Sequence, residues 1–360
     1  MRAPPTAVWG WLTDPGRMNR WSSARIEPID PGELGRMDGV GALRRVITPG
    51  AASTRLSEVI RISEPPHRFV YVVFDGAPAL RRHQGEITLQ GEGDFTIVHW
   101  RVAMDFVLPG VGSIAQRSIE PELRRSLAIM AKVAQDGAPQ EMPRFASLAS
   151  VDLAPLRAEA ERVLAAQRAI ADRLERANDP KQWFARVYVF VTEEQLAHLD
   201  RGEVDHPEWA LRLIPSFHTY YSAALEGFER GASIDPAWQR AWSVAARARA
   251  ARETVKGLLL GVAAHIDSDL PHALAETWRE HFRDRCEYVR FRADYVRMAY
   301  VFRIASDRLV EKMPRSFLPI WLRAARRAVP SAISGELMRR YYDVPKRRLA
   351  AFERGAALAR

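Results

Sequence analysis

The chain has 360 residues, enough for two domains at roughly 100 to 200 residues each. Its 47% hydrophobic and 27% charged residues exclude a disordered or collagen-like polypeptide, and its single cysteine, Cys286, excludes an intramolecular disulfide and any zinc site built on two or more cysteines. The net charge of +9 does not describe the body of the protein: residues 1–150 carry 18 basic and 16 acidic side chains, residues 151–319 carry 25 of each, and residues 320–360 carry 10 against 3.

The opening Met1-Arg2-Ala3-Pro4-Pro5 has no apolar core of the kind a signal peptide needs. The longest charge-free apolar run, Gly257 to Ala264, has eight residues, against the ~20 that span a bilayer, so no membrane-crossing helix and a cytoplasmic location are expected. The first 110 residues read as mostly β. Glu58 to Ile62 and Arg68 to Phe74 are rich in β-branched and aromatic residues, and Glu86 to Val107 reads as two strands broken at Gly91-Glu92-Gly93-Asp94, a hairpin signal. From about Ile114 to Ala134 the period changes, and Leu123, Leu127, Met130 and Ala134 form an apolar helical stripe whose obvious partner is the preceding sheet. Between Gln135 and Pro155 prolines and small residues predict a linker.

Beyond it nearly everything reads as helix: Leu153 to Ala177, then segments near 181–200, 206–230, 236–264, 270–311 and 316–357. Asp235-Pro236 predicts a capped helix start, and Thr192-Glu193-Glu194 predicts acidic residues in a first turn. The expected architecture is α+β: a sheet-and-helix domain over 1–135, a linker over 136–155 and an all-α domain over 156–360.

Val8-Trp9 with Leu12-Thr13-Asp14-Pro15, then Arg20-Trp21, Gly39-Val40-Gly41, Pro65-Pro66-His67-Arg68-Phe69-Val70-Tyr71 and Gly91-Glu92-Gly93-Asp94 follow one another in an order that resembles the polyketide cyclase/dehydrase branch of the START-like (SRPBCC) superfamily. The resemblance spans residues 3 to 135. It implies a helix-grip fold, a curved antiparallel sheet holding one long helix, with an apolar cavity between them. Family members begin with a strand before the Ala-Pro turn. Here the first strand is expected to be missing, so that either the true N-terminus lies upstream or the sheet has an unpaired edge. Val98, Trp100, Val102, Met104 and Phe106 share one face of the last strand, and with Leu123, Leu127 and Met130 they are the expected cavity wall. The same side chains would also make a solid core, which is the default use of an apolar stripe. His99 and Arg101 alternate with the apolar series and are expected to face away, and with Arg45 they are the nearby polar candidates. No acid or base is found inside the cavity, so binding is favoured over catalysis.

In the second half, Trp183 to Thr192, Phe217 to Leu225, Pro236-Ala237-Trp238 and above all Leu260 to Pro271, with its His265-Ile266-x-x-Asp269-Leu270-Pro271 core, resemble the domain of unknown function family 5995 over residues 180 to 357. That resemblance implies a helical domain and no established activity. His265 and Asp269 are four apart, one helix face if the helix runs on; joined by His218 or Asp284 they would bind a divalent metal or relay a proton. The reading preferred on residue usage is a turn, with Asp269 or Ser268 capping a helix that starts near Leu270, so no metal and no cofactor are expected.

Three functions compete. The first is binding of an apolar small molecule or lipid in the N-terminal cavity, with the helical domain as partner. The second is an enzyme, cyclase-like, hydrolase-like or metal-dependent, using the candidates His265, Asp269, Asp284 and His218. The third is peripheral contact with an anionic membrane through Phe317, Leu318, Ile320, Trp321, Leu322, Ala325 and Val329, interspersed with Arg323, Arg326 and Arg327, a composition that a bundle helix shares. No nucleic-acid partner is expected, since no binding motif accompanies the basic tail.

Overall fold

The computed structural model describes residues 1–49, 54–77, 80–106, 110–135, 138–145, 147–317 and 343–360. The chain divides into two compact units, Met1–Ser147 and Leu148–Arg360.

The first unit opens with two helices started by prolines, α1 (Pro5–Thr13) and α2 (Pro15–Met18); Asp14 caps the second by accepting from the Arg17 amide at 2.8 Å. Six strands follow: β1 (Arg25–Asp30), β2 (Leu43–Ile47), β3 (Arg55–Glu64), β4 (Arg68–Asp75), β5 (Leu80–Glu92) and β6 (Phe95–Phe106). Each pairs antiparallel with the next, in the order β1-β2-β3-β4-β5-β6. The β5–β6 hairpin turns over Gly93 and Asp94, where Gly93 takes φ 58°, a left-handed conformation that glycine adopts at little steric cost. The sheet is open, with β1 and β6 as its edges. The chain start lies beside β6: the Met1 ammonium donates to the Thr96 carbonyl at 2.7 Å, and the Thr96 hydroxyl to the Ala3 carbonyl at 2.7 Å.

Alternation along the strands gives the sheet an inner face carrying Ile60, Phe69, Tyr71, Ile87 and Leu89. These pack with Val8, Trp9 and Leu12 of α1, with Met130 of α3 (Val111–Val133) and with Ala134 just past its end. The long helix therefore lies over the sheet in the way its apolar stripe requires. Among these elements, the sequence reading did not single out β1, β2, α1 or α2, which are short or lack a strong period.

The second unit is helical among its described residues: α4 (Ala154–Arg176), α5 (Gln182–Asp200), α6 (Pro207–Glu229), α7 (Pro236–Ala246), α8 (Ala251–Ala264), α9 (Leu270–His281), α10 (Arg292–Arg297), α11 (Ala299–Lys312) and α12 (Val344–Ala359). Asp235 caps α7 as expected, accepting from the Ala237 amide at 2.8 Å. Three expectations need correction. The segment 236–264 is two helices, because Glu253 turns back to accept from the Arg249 and Ala250 amides, at 2.6 and 3.3 Å, and so starts α8 afresh. The segment 270–311 is also broken, past a buried Phe282 and a 3-10 turn at Tyr288–Phe291. Thr192-Glu193-Glu194 lies inside α5 rather than at a helix start, with Glu193 and Glu194 paired to Arg308 on α11. Most of the expected membrane-facing segment, residues 318–342, lies outside the described residues.

Candidate functional site

β6 presents its apolar residues on one side. Val98, Trp100, Val102, Met104 and Phe106 are each half-buried, while the intervening His99 and Arg101 are exposed. The expected wall divides in two. Val98, Trp100, Leu127 and Met130 join the packed cluster between sheet and helix. Val102, Met104, Phe106 and Leu123 do not belong to that cluster and remain half-buried.

The same inner face holds a polar group that the sequence reading missed. The Arg44 Nε donates to a Glu58 carboxylate oxygen at 2.7 Å, with both side chains over 90% buried. Arg44 is paired with Glu58 across β2 and β3, and its guanidinium stands 4.7 Å from the centre of the Tyr71 ring and 5.6 Å from that of Phe69. Such stacking suits a planar, weakly hydrated cation in apolar surroundings. Trp100 Nε1 donates to the Tyr71 hydroxyl at 3.1 Å, and the Tyr71 ring lies 5.6 Å from that of His83. Burial, with the Glu58 charge beside it, pushes the Tyr71 phenol well above its ordinary value, so it stays protonated. Burial pulls the His83 imidazole down, with Glu58 opposing and Arg44 reinforcing the shift. Gly85, between Tyr71 and β6, carries no side chain because a Cβ there would meet the Tyr71 ring at 2.1 Å.

Arg45, the neighbour singled out from sequence, lies on the other side of β2 and approaches Glu27 at 3.8 Å. Parity alone does not find Arg44, since Leu43 and Ile47 flank Arg45 as Ala42 and Val46 flank Arg44; its cross-strand partner does, because Glu58 shares its side of β3 with the inward Ile60.

In the helical unit, His265 and Asp269 lie on a π-helical turn, His265–Asp269, that joins α8 to α9. The expected turn and cap are therefore corrected: Asp269 has helical dihedrals and its side chain caps nothing. The wider π turn brings positions four apart into contact instead, and His265 Nδ1 donates to an Asp269 oxygen at 2.8 Å. Trp238 Nε1 donates to the same carboxylate at 2.9 Å. The His265 ring is stacked on Phe217 at 3.6 Å between centres and is edged by Tyr188 at 4.6 Å. Burial outweighs the raising influence of Asp269 and pulls the His265 imidazole below its ordinary value, so it is neutral.

His218 lies 6.1 Å from Tyr188, ring to ring, and burial, with His265 nearby, pulls it down to about 4. Asp284 is exposed beyond α9, a helix of 12 residues that separates it from Asp269 by about 18 Å of rise. The structure thus joins His265 to Asp269, places His218 near them and leaves Asp284 apart. Among the described residues no group of three or more histidine, cysteine or carboxylate side chains is placed to hold a metal ion. A cleft of about 660 Å³ runs beside the π turn, lined by Tyr220, Asp235, Ser268, Asp269, His272 and Arg354 among others. It reaches Asp269, whereas His265 is behind that carboxylate within the aromatic rings.

Two families match the chain. Residues 160–341 match a family of unknown function (DUF5995), and residues 1–135 match the family of polyketide cyclase / dehydrase and lipid transport proteins. No curated protein matches. Among solved structures, a Thermus thermophilus protein is similar over 37% of this chain and 88% of its own, at 16% identity and a TM-score of 0.29. CalU16 from Micromonospora echinospora is similar over 37% and 76%, at 24% identity and a TM-score of 0.26. A point mutant of Thalictrum flavum norcoclaurine synthase, in complex with a transition-state analogue, is similar over 37% and 87%, at 17% identity and a TM-score of 0.30.

Proposed function

Because the chain belongs to the DUF5995 family and its N-terminal unit to the polyketide cyclase / dehydrase and lipid transport family, we propose that this unit binds an apolar small molecule or lipid between sheet and α3 without transforming it. The observation that carries the reading is the half-buried set Val102, Met104, Phe106 and Leu123, continuous along β6 and α3 with the packed Val98, Trp100, Leu127 and Met130. Large apolar side chains left half-open on the inner face of a sheet are surface that an apolar ligand would remove from water, at roughly 25 cal/mol per Å². The polar residues on that face support binding over catalysis. Glu58 is held by Arg44, and the Tyr71 phenol is kept protonated, so neither stands ready as a base. The helical unit is the partner domain in this reading.

A fluorescent fatty acid whose emission rises in apolar surroundings tests it. Wild-type protein should bind the probe, and Val102→Trp should weaken binding by about tenfold or more by filling the space, whereas in a solid core the same change would instead cost ~1–3 kcal/mol of stability in overpacking. Absence of binding to folded wild-type protein would overturn the proposal.

A further inference from the structure

We infer that His83 sets the specificity of the N-terminal site by donating its Nε2–H to an uncharged oxygen acceptor, a carbonyl, on an otherwise apolar ligand. This rests on the binding reading above and adds the ligand's polar group to it.

β5 turns His83 to the inner face, in register with Met104 of β6 and two residues from Gly85, which is paired with Val102. The ladder between β4 and β5 ends at the Tyr71–Gly85 pair. Past that point the Val73 amide of β4 finds no strand carbonyl and donates to His83 Nδ1 instead, at 3.2 Å. A ring nitrogen that accepts carries no hydrogen, so the single proton of the neutral imidazole is on Nε2, directed away from Val73. The backbone thus fixes the tautomer.

On this face Arg44 is engaged with Glu58 and Trp100 with Tyr71. The described residues give His83 Nε2–H no such partner. The ring is half-buried beside Tyr71 and opposite Met104, so an apolar ligand seated there would take Nε2–H away from water, and a ligand acceptor that replaces that water is selected over a ligand without one. Arg44 and Glu58 cancel in charge, so nothing here calls for an ionic ligand. The chemistry that fits is a flat or extended apolar molecule bearing a ketone, ester or amide carbonyl.

The test uses the full chain and two naphthalenes of one shape, 2-acetylnaphthalene and 2-isopropenylnaphthalene, which differ by a carbonyl oxygen in place of a methylene. Each competes against Nile red. In wild-type protein the acetyl compound should compete about tenfold better, as expected for one buried hydrogen bond. In His83→Phe the ratio should fall to about one with the isopropenyl affinity retained. His83→Gln, whose amide can accept from Val73 and still donate, should restore part of the ratio. Nitrogen NMR of the wild-type imidazole supplies a reading free of mutation: the acetyl compound should move the Nε2 resonance and leave Nδ1 in place. If Nile red and both naphthalenes fail to bind, the binding reading itself falls. If both compounds bind equally to wild type, or the ratio survives in His83→Phe, the role of His83 falls and the binding reading stands.

Discussion

His218 and His265 are neutral imidazoles inside the helical unit, and this makes its stability depend on pH in a definite direction. Unfolded, each would titrate near its ordinary value of about 6.5. Folded, His218 titrates at about 4 and His265 is also lowered, both chiefly by burial. Below pH 6.5 the unfolded chain therefore takes up protons that the folded one resists. The stability contribution is whole above 6.5 and is lost as the pH falls through that value toward about 4. The midpoint of urea unfolding should drop between pH 7.5 and 5.5, and the drop should shrink in His218→Phe; equal drops in the two proteins would count against the assignment. Residue by residue, the sequence was informative where one period decides, as with the alternation from Val98 to Phe106. It was silent where partners come from different strands. Nothing near Arg44 in sequence distinguishes it from Arg45, and only the pairing of β2 with β3 puts one inside with Glu58 and the other outside. Asp269 was misread for a related reason: Asp-Ser-Asp-Leu-Pro has the composition of a capped turn, and the π turn that threads it has no composition of its own.

The strand pair β2–β3 carries the first unit's most exposed energetic risk. Arg44 and Glu58 are paired directly across it, both buried, with the guanidinium against Tyr71. A buried ion pair adds little net stability, but losing one partner strands the other charge. Glu58→Ala should therefore cost about 3–5 kcal/mol, whereas replacing the pair together, Arg44→Met with Glu58→Leu, should be near neutral. Denaturant unfolding measures both, and a single-variant loss below about 1 kcal/mol would mean that water reaches the arginine. At this scale helix existence was legible and helix continuity was not. Arg247 to Ala250 contains neither proline nor glycine, so 236–264 reads as unbroken. The break comes from a side chain, Glu253, taking the two amides that a continuous helix would have used.

For the whole molecule we propose that the segment between Gln135 and Pro155 is a linker, on the composition that marks it. Limited proteolysis should cut there first and release the two units, and cuts confined to other places would remove the boundary. The β-rich start and the helical second half were plain from the hydrophobic period, which reads as strands over most of the first 110 residues and as helix from Asp152 onward. The meander order of the sheet has a consequence for how the first unit is made. Every strand pairs with its immediate successor, so hairpins can form one after another as the chain leaves the ribosome, without waiting for distant partners. Two closures cannot form that way. The Met1 and Ala3 bonds to Thr96 wait until β6 has emerged, and the part of the inner face that Met130 and Ala134 cover stays open until α3 has been synthesised. During that interval α1, with Trp9 against Phe69, is the cover available to the nascent sheet, which makes α3 both the lid of the finished domain and the end of its most aggregation-prone moment.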